Sequence, residues 1–208
     1  MSTSARAGLL FVSALVGCAK IRAGGFGYHD HPAPPPPPPP ASFTWPPPAG
    51  WRHESIPFPL DFAPGLPYRG TAELRFAPGF FDPKAPDHWS YAFVWWLEPT
   101  GPRLERATLE ANLREYFVGL TSAVAKGKFE PDLSRIEARL AANVEPGLVG
   151  TVRTIDAFET RSEILLHVRL VTGACRDRRF VLVGASPKPP GDPMWAALNE
   201  VTASFQCE

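Results

Sequence analysis

The spacing of apolar residues predicts a domain of strands and helices from about Gly50 to the C-terminus. Residues 89–98 read "WSYAFVWWLE" and are apolar at alternate positions on both faces, which is typical of a central strand that is covered on both sides. Residues 53–58 and 71–77 alternate more weakly and are bounded by Pro and Gly, so we predict short strands there.

Helical spacing appears in three places. Residues 108–127 predict an amphipathic helix with Thr108 as N-cap and Gly127 as its stop, and residues 133–143 predict a shorter one. A closing helix follows Asp192 at the cap and Pro193 in the first turn. The positions that define these helices are Leu109, Leu113, Phe117, Leu120 and Val124, then Leu133, Ile136 and Leu140, and finally Trp195, Leu198, either Val201 or Thr202, and Phe205.

Between the second and the closing helix, the branched and aromatic residues of 148–158, 163–172 and 179–185 predict an antiparallel meander. On the middle strand, His167 and Arg169 occupy the face opposite the apolar one, so that face is at least partly solvated. Strands and helices are grouped rather than alternating. We therefore predict a single α+β domain, a mainly antiparallel sheet packed by about three helices.

The N-terminus has a different pattern. An apolar run from Leu9 to Val16 follows a single basic residue, Arg6, and is far shorter than the roughly 20 residues that a membrane-spanning helix needs. A basic residue, a short apolar segment and a small-residue exit are typical of a secretory signal peptide. We predict that residues 1–17 are a signal peptide and that the protein is exported.

The exit of this segment, Leu15-Val16-Gly17-Cys18, resembles the lipobox of bacterial lipoproteins. The resemblance covers about the first 20 residues. It implies that a diacylglycerol is attached to Cys18, that the chain is cut before it, and that the new amino group is acylated, commonly with palmitate. The membrane is then a partner through this anchor, and Ala19 after the cysteine favours the outer membrane if the host has one. The alternative is an ordinary cleaved signal with an incidental cysteine.

Residues 18–49 are predicted to be a linker between the anchor and the domain. Residues 32–48 contain 11 prolines in 17 positions, which favours the extended polyproline II form and a reach of roughly 50 Å. His29, Asp30 and His31 are the residues with metal-ligand chemistry in this linker. Because neighbours in an extended chain point in opposite directions, a solvated linker is the preferred interpretation and no metal or other cofactor is predicted.

The net charge of the chain gives little information about its binding partners. Without residues 1–17 the chain has 20 basic and 21 acidic residues, so nothing indicates binding to nucleic acid.

Of the three cysteines, Cys175 and Cys207 remain once Cys18 is assigned to the anchor. An exported chain favours a disulfide between them, which would fix the closing helix to the sheet; two buried free thiols are the alternative.

Sequence motifs for catalysis are absent: there is no nucleophile elbow, HExxH, phosphate loop or paired CxxC. Scattered titratable residues leave open an envelope hydrolase that uses histidine and carboxylate groups, and these candidates are His53, Glu54, Asp87, His88, Glu98, Asp156 and His167. The opposing interpretation is a noncatalytic binding or structural module, with an envelope protein or a glycan as ligand. Its aromatic candidates are Trp51, Trp89, Trp95 and Trp96, which would equally fill a core.

The last residues, "EVTASFQC", resemble the final helix of PsbP-like domains, which also end near a Ser-Phe pair. This resemblance covers fewer than ten residues and implies only an architecture.

The sequence thus predicts a lipid-anchored cell-envelope lipoprotein that is not an enzyme. Exposed aromatic residues meeting in one groove would favour ligand binding, whereas converging histidine and carboxylate groups would favour catalysis.

Overall fold

The structure is a computed structural model that describes residues 43–142 and 147–207, all of them within the compact unit Pro40–Glu208. The described residues form nine strands and two α-helices. The strands are β1 Phe43–Thr44, β2 Arg52–Phe58, β3 Gly70–Phe76, β4 Tyr91–Leu97, β5 Glu137–Ala142, β6 Leu148–Ile155, β7 Glu163–Cys175, β8 Arg178–Ser186 and β9 Gln206–Cys207. The helices are α1 Arg106–Ala125 and α2 Met194–Ala203, and a 3₁₀ turn spans Leu133–Arg135.

Seven strands form one antiparallel sheet in the order β2-β3-β4-β8-β7-β6-β5, and β1 pairs with β9 in a separate two-stranded sheet. The β6–β8 meander and strands β2 and β3 lie close to the predicted positions. The predicted α+β class with about three helices is wrong, because the described residues are mostly antiparallel strand with two helices.

The error lies in residues 133–143, which were predicted to be a helix. They form the 3₁₀ turn and then β5, which pairs with β6 at the edge of the sheet. Buried Ile136 and Leu140 are four residues apart, and residues that far apart share a face in a strand as well as in a helix. The Asp132 carboxylate also accepts the backbone N–H of Ser134 and so closes a local turn. The predicted end at Asn143 lies outside the described residues.

Helix α1 shields this edge strand with two polar side chains. Glu110 accepts the backbone N–H of Leu140 at 2.7 Å, and the Arg114 Nε donates to the carbonyl of Ile136 at 3.0 Å. These bonds satisfy backbone groups that an edge strand would otherwise present to another chain. The predicted N-cap was Thr108, but helix α1 begins at Arg106, directly after Glu105. It ends at Ala125, shortly before Gly127, whose φ of 74° is a backbone conformation that residues with a Cβ rarely adopt.

We call the sheet face under α1 the inner face. Helix α1 covers β5 and β6, while the segments at 59–69 and 77–90 cover the rest with a continuous aromatic cluster. Strand β4 is buried along its whole length, as predicted, and its Tyr91, Phe93 and Trp95 point into this cluster. The buried polar atoms Tyr91 Oη and Trp95 Nε1 have no hydrogen-bond partner among the described residues.

The outer face carries helix α2, which lies over β8 and β4. Its Trp195, Leu198 and Val201 are buried, and the Asp192 carboxylate accepts the Met194 N–H at 2.9 Å at the start of the helix. Trp45 joins this cluster by donating its indole N–H to the Val201 carbonyl at 2.7 Å. The chain from Phe43 onward is therefore part of the fold.

Candidate ligand-binding groove

A groove of about 430 Å³ lies on the outer face between α2 and strands β7 and β8. It exists because α2 covers only the centre of the sheet, so the neighbouring part of β7 stays open. Along β7 the odd-numbered residues point outward, and among them Leu165 and Val171 are each 44% exposed. The groove is lined by apolar residues and a few polar ones: Leu148, Arg169, Val171, Phe180, Leu182, Gly184, Trp195, Leu198, Asn199, Thr202 and Phe205.

Arg169 is the charged residue of the groove. Its guanidinium carbon lies 4.5 Å from the centre of the Trp195 ring, and its Nη1 donates to Asn199 Oδ1 at 3.2 Å. The ring is itself fixed, since the indole N–H of Trp195 donates to the carbonyl of Lys188 at 2.9 Å. A guanidinium stacked on an aromatic ring keeps its in-plane N–H groups free for other partners.

Gly184 forms the floor of the groove directly opposite Arg169, with which it is paired across β7 and β8. A Cβ built on Gly184 would lie 3.7 Å from Thr202 Cγ2, 3.8 Å from Trp195 Cζ3 and 4.0 Å from Leu198 Cβ. These are ordinary van der Waals distances. There is consequently room for one methyl group between the sheet and α2 at this point.

Two half-buried aromatic residues, Phe180 and Phe205, close one end of the groove with their ring centres 5.0 Å apart. Phe205 also lies 5.5 Å from the ring of Phe43, in the strand that pairs with β9. The groove therefore ends where the first and last described strands meet. Both rings are half-buried, so the described residues of the groove do not include the fully exposed aromatic residues that were expected as the sign of ligand binding.

The first and last described strands, β1 and β9, are connected to the seven-stranded sheet near this end of the groove. The structure places Cys175 and Cys207 at disulfide distance, with their Cα atoms 5.9 Å apart, which is consistent with the predicted disulfide. Cys207 in β9 also pairs with Phe43 in β1. The disulfide thus connects β9, and β1 through it, to the end of β7.

The tryptophans that the sequence singled out are mainly core residues. Trp89, Trp95 and Trp96 are buried, which supports the interpretation that they fill the core. Trp51 is half-buried and lines a second cleft of about 280 Å³, between the prolines at 46–48 and helix α2.

Most of the predicted titratable candidates do not meet. His53 and Glu54 are exposed neighbours on the edge strand β2, while Glu98 lies at the opposite end of β4 from His88. Asp87 accepts the backbone N–H of Gly79 at 2.9 Å and so holds a loop. His167 is on the outer face of β7, two residues before Arg169.

One histidine and one carboxylate do converge. His88 Nε2 lies 3.7 Å from Asp156 Oδ2, and the Asp156 side chain is 2% exposed. Asp156 accepts the backbone N–H groups of Phe158, Glu159 and Thr160 at 2.9–3.1 Å, and the Thr160 hydroxyl at 2.8 Å. The carboxylate is therefore the organising centre of the turn after β6.

The electrostatics of Asp156 follow from these contacts. Burial by itself would raise the pKa of the carboxyl, but the hydrogen bonds from Thr160, Trp89 and Glu159 favour the charged form, and the pKa lies below its ordinary value. Asp156 is thus ionised at neutral pH. Neither His88 nor Asp156 lines the groove.

Four predicted positions lie outside the described residues: Cys18, the proposed lipid attachment site, and the linker residues His29, Asp30 and His31. Within the part of the chain that is described, no three His, Cys, Asp or Glu residues are grouped so that they could hold a metal ion. In the same part, no helix is both long enough and apolar enough to cross a membrane.

The sequence pointed to only part of the groove. The alternation along β7 marked Arg169 as facing outward, but Phe180, Gly184 and Asn199 carried no signal of their own, because their role depends on how β8 and α2 are placed. Comparison with models of protein families, with curated proteins and with solved structures finds no match. The resemblances to lipoproteins and to PsbP-like domains remain predictions from the sequence.

Proposed function

We propose that this protein is a lipid-anchored lipoprotein of the bacterial cell envelope whose domain binds a ligand and has no catalytic role. The anchor would be an acylated Cys18 exposed by removal of residues 1–17, and the part of the predicted linker that precedes Phe43 would hold the domain away from the membrane. This part of the proposal is supported by the apolar run and by the Leu15-Val16-Gly17-Cys18 motif. One acyl chain binds a membrane only marginally, so the two or three chains of a lipoprotein would be needed for lasting attachment.

The observation that carries the binding role is the groove between α2 and β7. Small-molecule sites are concave and combine apolar residues with a small number of fixed polar groups, and the groove is an open cleft that contains both kinds of residue. Arg169 and Asn199 are its polar groups, and the half-buried Phe180 and Phe205 contribute its aromatic surface.

The experiment for the anchor is an intact mass measurement on the protein purified from a bacterial membrane fraction, with and without reduction. We expect a chain that starts at Cys18, carries acyl groups and gains the two hydrogens of one reduced disulfide. An unmodified chain recovered from the soluble fraction would contradict the anchor.

The alternative is an envelope hydrolase, and the contact between His88 and Asp156 is the observation that favours it. A histidine beside a buried carboxylate is part of many general-base arrangements, although His88 Nε2 makes no hydrogen bond within the described residues. Against it, both oxygens of Asp156 already accept hydrogen bonds from the 158–160 turn. Hydrolysis of ester, amide or phosphate substrates that is lost in His88→Asn but retained in His53→Asn, an exposed control, would establish the alternative and contradict the noncatalytic role.

A further inference from the structure

We propose that the groove takes a small amphipathic carboxylate, with the carboxylate bound by Arg169 and the apolar part lying on the floor next to Trp195. This inference rests on the proposed binding function and names the chemical class of its ligand. It is carried by three features of the groove: the charge of Arg169, which has no acidic partner among the described residues, the polar geometry and the shape.

The charge of Arg169 has no acidic counterpart in the described part of the chain. Other arginines of the same sheet face do have one: Arg153 Nη1 lies 2.7 Å from Glu163 Oε1, and Arg139 Nη2 lies 3.2 Å from Glu137 Oε2. No described carboxylate is within 4.0 Å of the Arg169 side chain, whose hydrogen-bond partner is the neutral amide of Asn199. A half-buried cation beside apolar residues is complementary to an anionic ligand.

The polar geometry suits a carboxylate in particular. The guanidinium has five N–H donors, and the bond to Asn199 uses one of them. Because Asn199 accepts that bond through Oδ1, its Nδ2 amino group keeps two donors on the same side of the groove. The contact with the fixed Trp195 ring and the bond to Asn199 restrict the guanidinium in advance, so that less side-chain entropy is lost when a bidentate carboxylate binds.

The shape of the groove favours a small ligand with an apolar body. Its volume of about 430 Å³ falls within the range of small-molecule sites, roughly 300–1,000 Å³. The floor next to Arg169 is made by Leu182, Gly184 and Leu198, and the methyl-sized space above Gly184 extends under α2. An alkyl or aryl group attached to the carboxylate would fill this apolar floor while its charge reaches Arg169.

The test uses the full chain carrying Cys18→Ser, so that no lipid anchor competes for amphiphiles, and three probes of equal length: octanoate, octan-1-ol and octylammonium. Calorimetry gives the affinities, and the NMR signal of the Trp195 indole N–H reports on the groove. We expect saturable binding of octanoate that is at least about ten-fold tighter than that of octan-1-ol, since a hydrogen-bonded charge contributes more than a neutral group. Octylammonium should not bind.

Two variants separate the roles of charge and shape. Arg169→Met should remove the preference for octanoate over octan-1-ol and leave the binding of octan-1-ol, whereas Arg139→Met, on the same face but outside the groove, should change neither. Gly184→Ala adds a methyl group at ordinary contact distances, so the domain stays folded, and it should weaken the binding of both octanoate and octan-1-ol.

The outcomes distinguish the ligand class from the function on which it rests. If octan-1-ol or octylammonium shifts the Trp195 signal as strongly as octanoate does, or if Arg169→Met keeps the preference for octanoate, the carboxylate class is wrong and the groove remains a binding site. If none of the three probes shifts that signal, both the ligand class and the binding role of the groove are overturned.

Discussion

Replacing Cys175 and Cys207 together by alanine should destabilise the domain strongly. The two residues are 32 positions apart in the chain, and the whole of β8 and α2 lies between them. In the chain-entropy model, a cross-link of this separation removes denatured-state entropy worth about 3.7 kcal/mol at 25 °C. A domain of this size is typically stable by about 5–15 kcal/mol, so the loss would be a large fraction of the total.

The folded state should also lose local structure in the variant. Strand β9 has two residues, and its partner β1 has two, so neither is stable without the covalent link. The rings of Phe43 and Phe205, which contact Trp96, are held in place by these strands. We therefore expect faster amide hydrogen exchange in β1 and β9, with the seven-stranded sheet still protected.

Urea unfolding followed by tryptophan fluorescence and by circular dichroism measures the free energy of unfolding of the oxidised protein and of the double-alanine variant. The m-value should rise in the variant, because a chain without the cross-link exposes more surface when it unfolds. Cys18→Ser is the matched control and should leave the free energy unchanged. A loss below about 1 kcal/mol for the double variant would refute the argument that the cross-link restricts the denatured chain.

Three further predictions concern other parts of the molecule. Cys18→Ser should move the protein from the membrane to the soluble fraction on cell fractionation, whereas Ser13→Ala should not. Arg75→Met should lower the free energy of unfolding by about 1–3 kcal/mol in urea titrations, because the buried guanidinium donates to the carbonyl of Trp45 at 2.5 Å and that carbonyl would lose its partner. Asp156→Asn should flatten the acid limb of the stability profile. The lowered pKa of Asp156 contributes stability above the ordinary carboxyl pKa, and this stability is lost as the pH falls through the folded-state pKa; an unchanged profile in the variant between pH 5 and pH 2 would contradict it.

The elements that were predictable have a local signature. Strand β4 was recognisable because it has apolar residues on both faces. Phe93 and Trp95 pack into the hydrophobic cluster on the inner face of the sheet, and Val94 packs into the cluster on the outer face. Helix α2 was recognisable from Asp192 and Pro193 at its start. In these cases the hydrophobic pattern and the terminal residues favour the same structure, and the tertiary contacts stabilise that same structure.

The second predicted helix failed because its pattern fits two structures. Ile136, Ala138 and Leu140 also alternate with Glu137 and Arg139, which is the period of a strand. A segment this short cannot distinguish the two periods, and tertiary structure decides between them. Here β6 offers an open edge, and the side chains of α1 complete the hydrogen bonds on the other side of β5.

The groove was beyond the reach of the sequence for a different reason. Its central residues, Arg169, Gly184 and Trp195, come from three successive elements, and they meet because β8 lies between β7 and β4. Nothing in a local pattern shows which side of the sheet a closing helix will cover, or that a glycine will lie under it. The hydrophobic stripe of α2 predicted that one side of the helix is buried. It did not predict which part of the sheet beside the helix remains uncovered.

The existence of an open groove follows from the widths of a helix and a sheet. Seven strands spaced by about 4.8 Å span roughly 29 Å, and one helix with its side chains is about 10 Å wide, so α2 covers little more than the two strands on which it lies. An antiparallel face can stay in water when it is polar, and on β5 and β6 the outward Arg139 and Arg153 make it so. The strip beside α2 is different, because Val171 and Phe180 are apolar while Arg169 is charged without an acidic partner among the described residues. Partly exposed apolar residues beside a cation are complementary to an amphipathic anion, and this is the physical reason to look for the ligand there rather than anywhere else on the sheet.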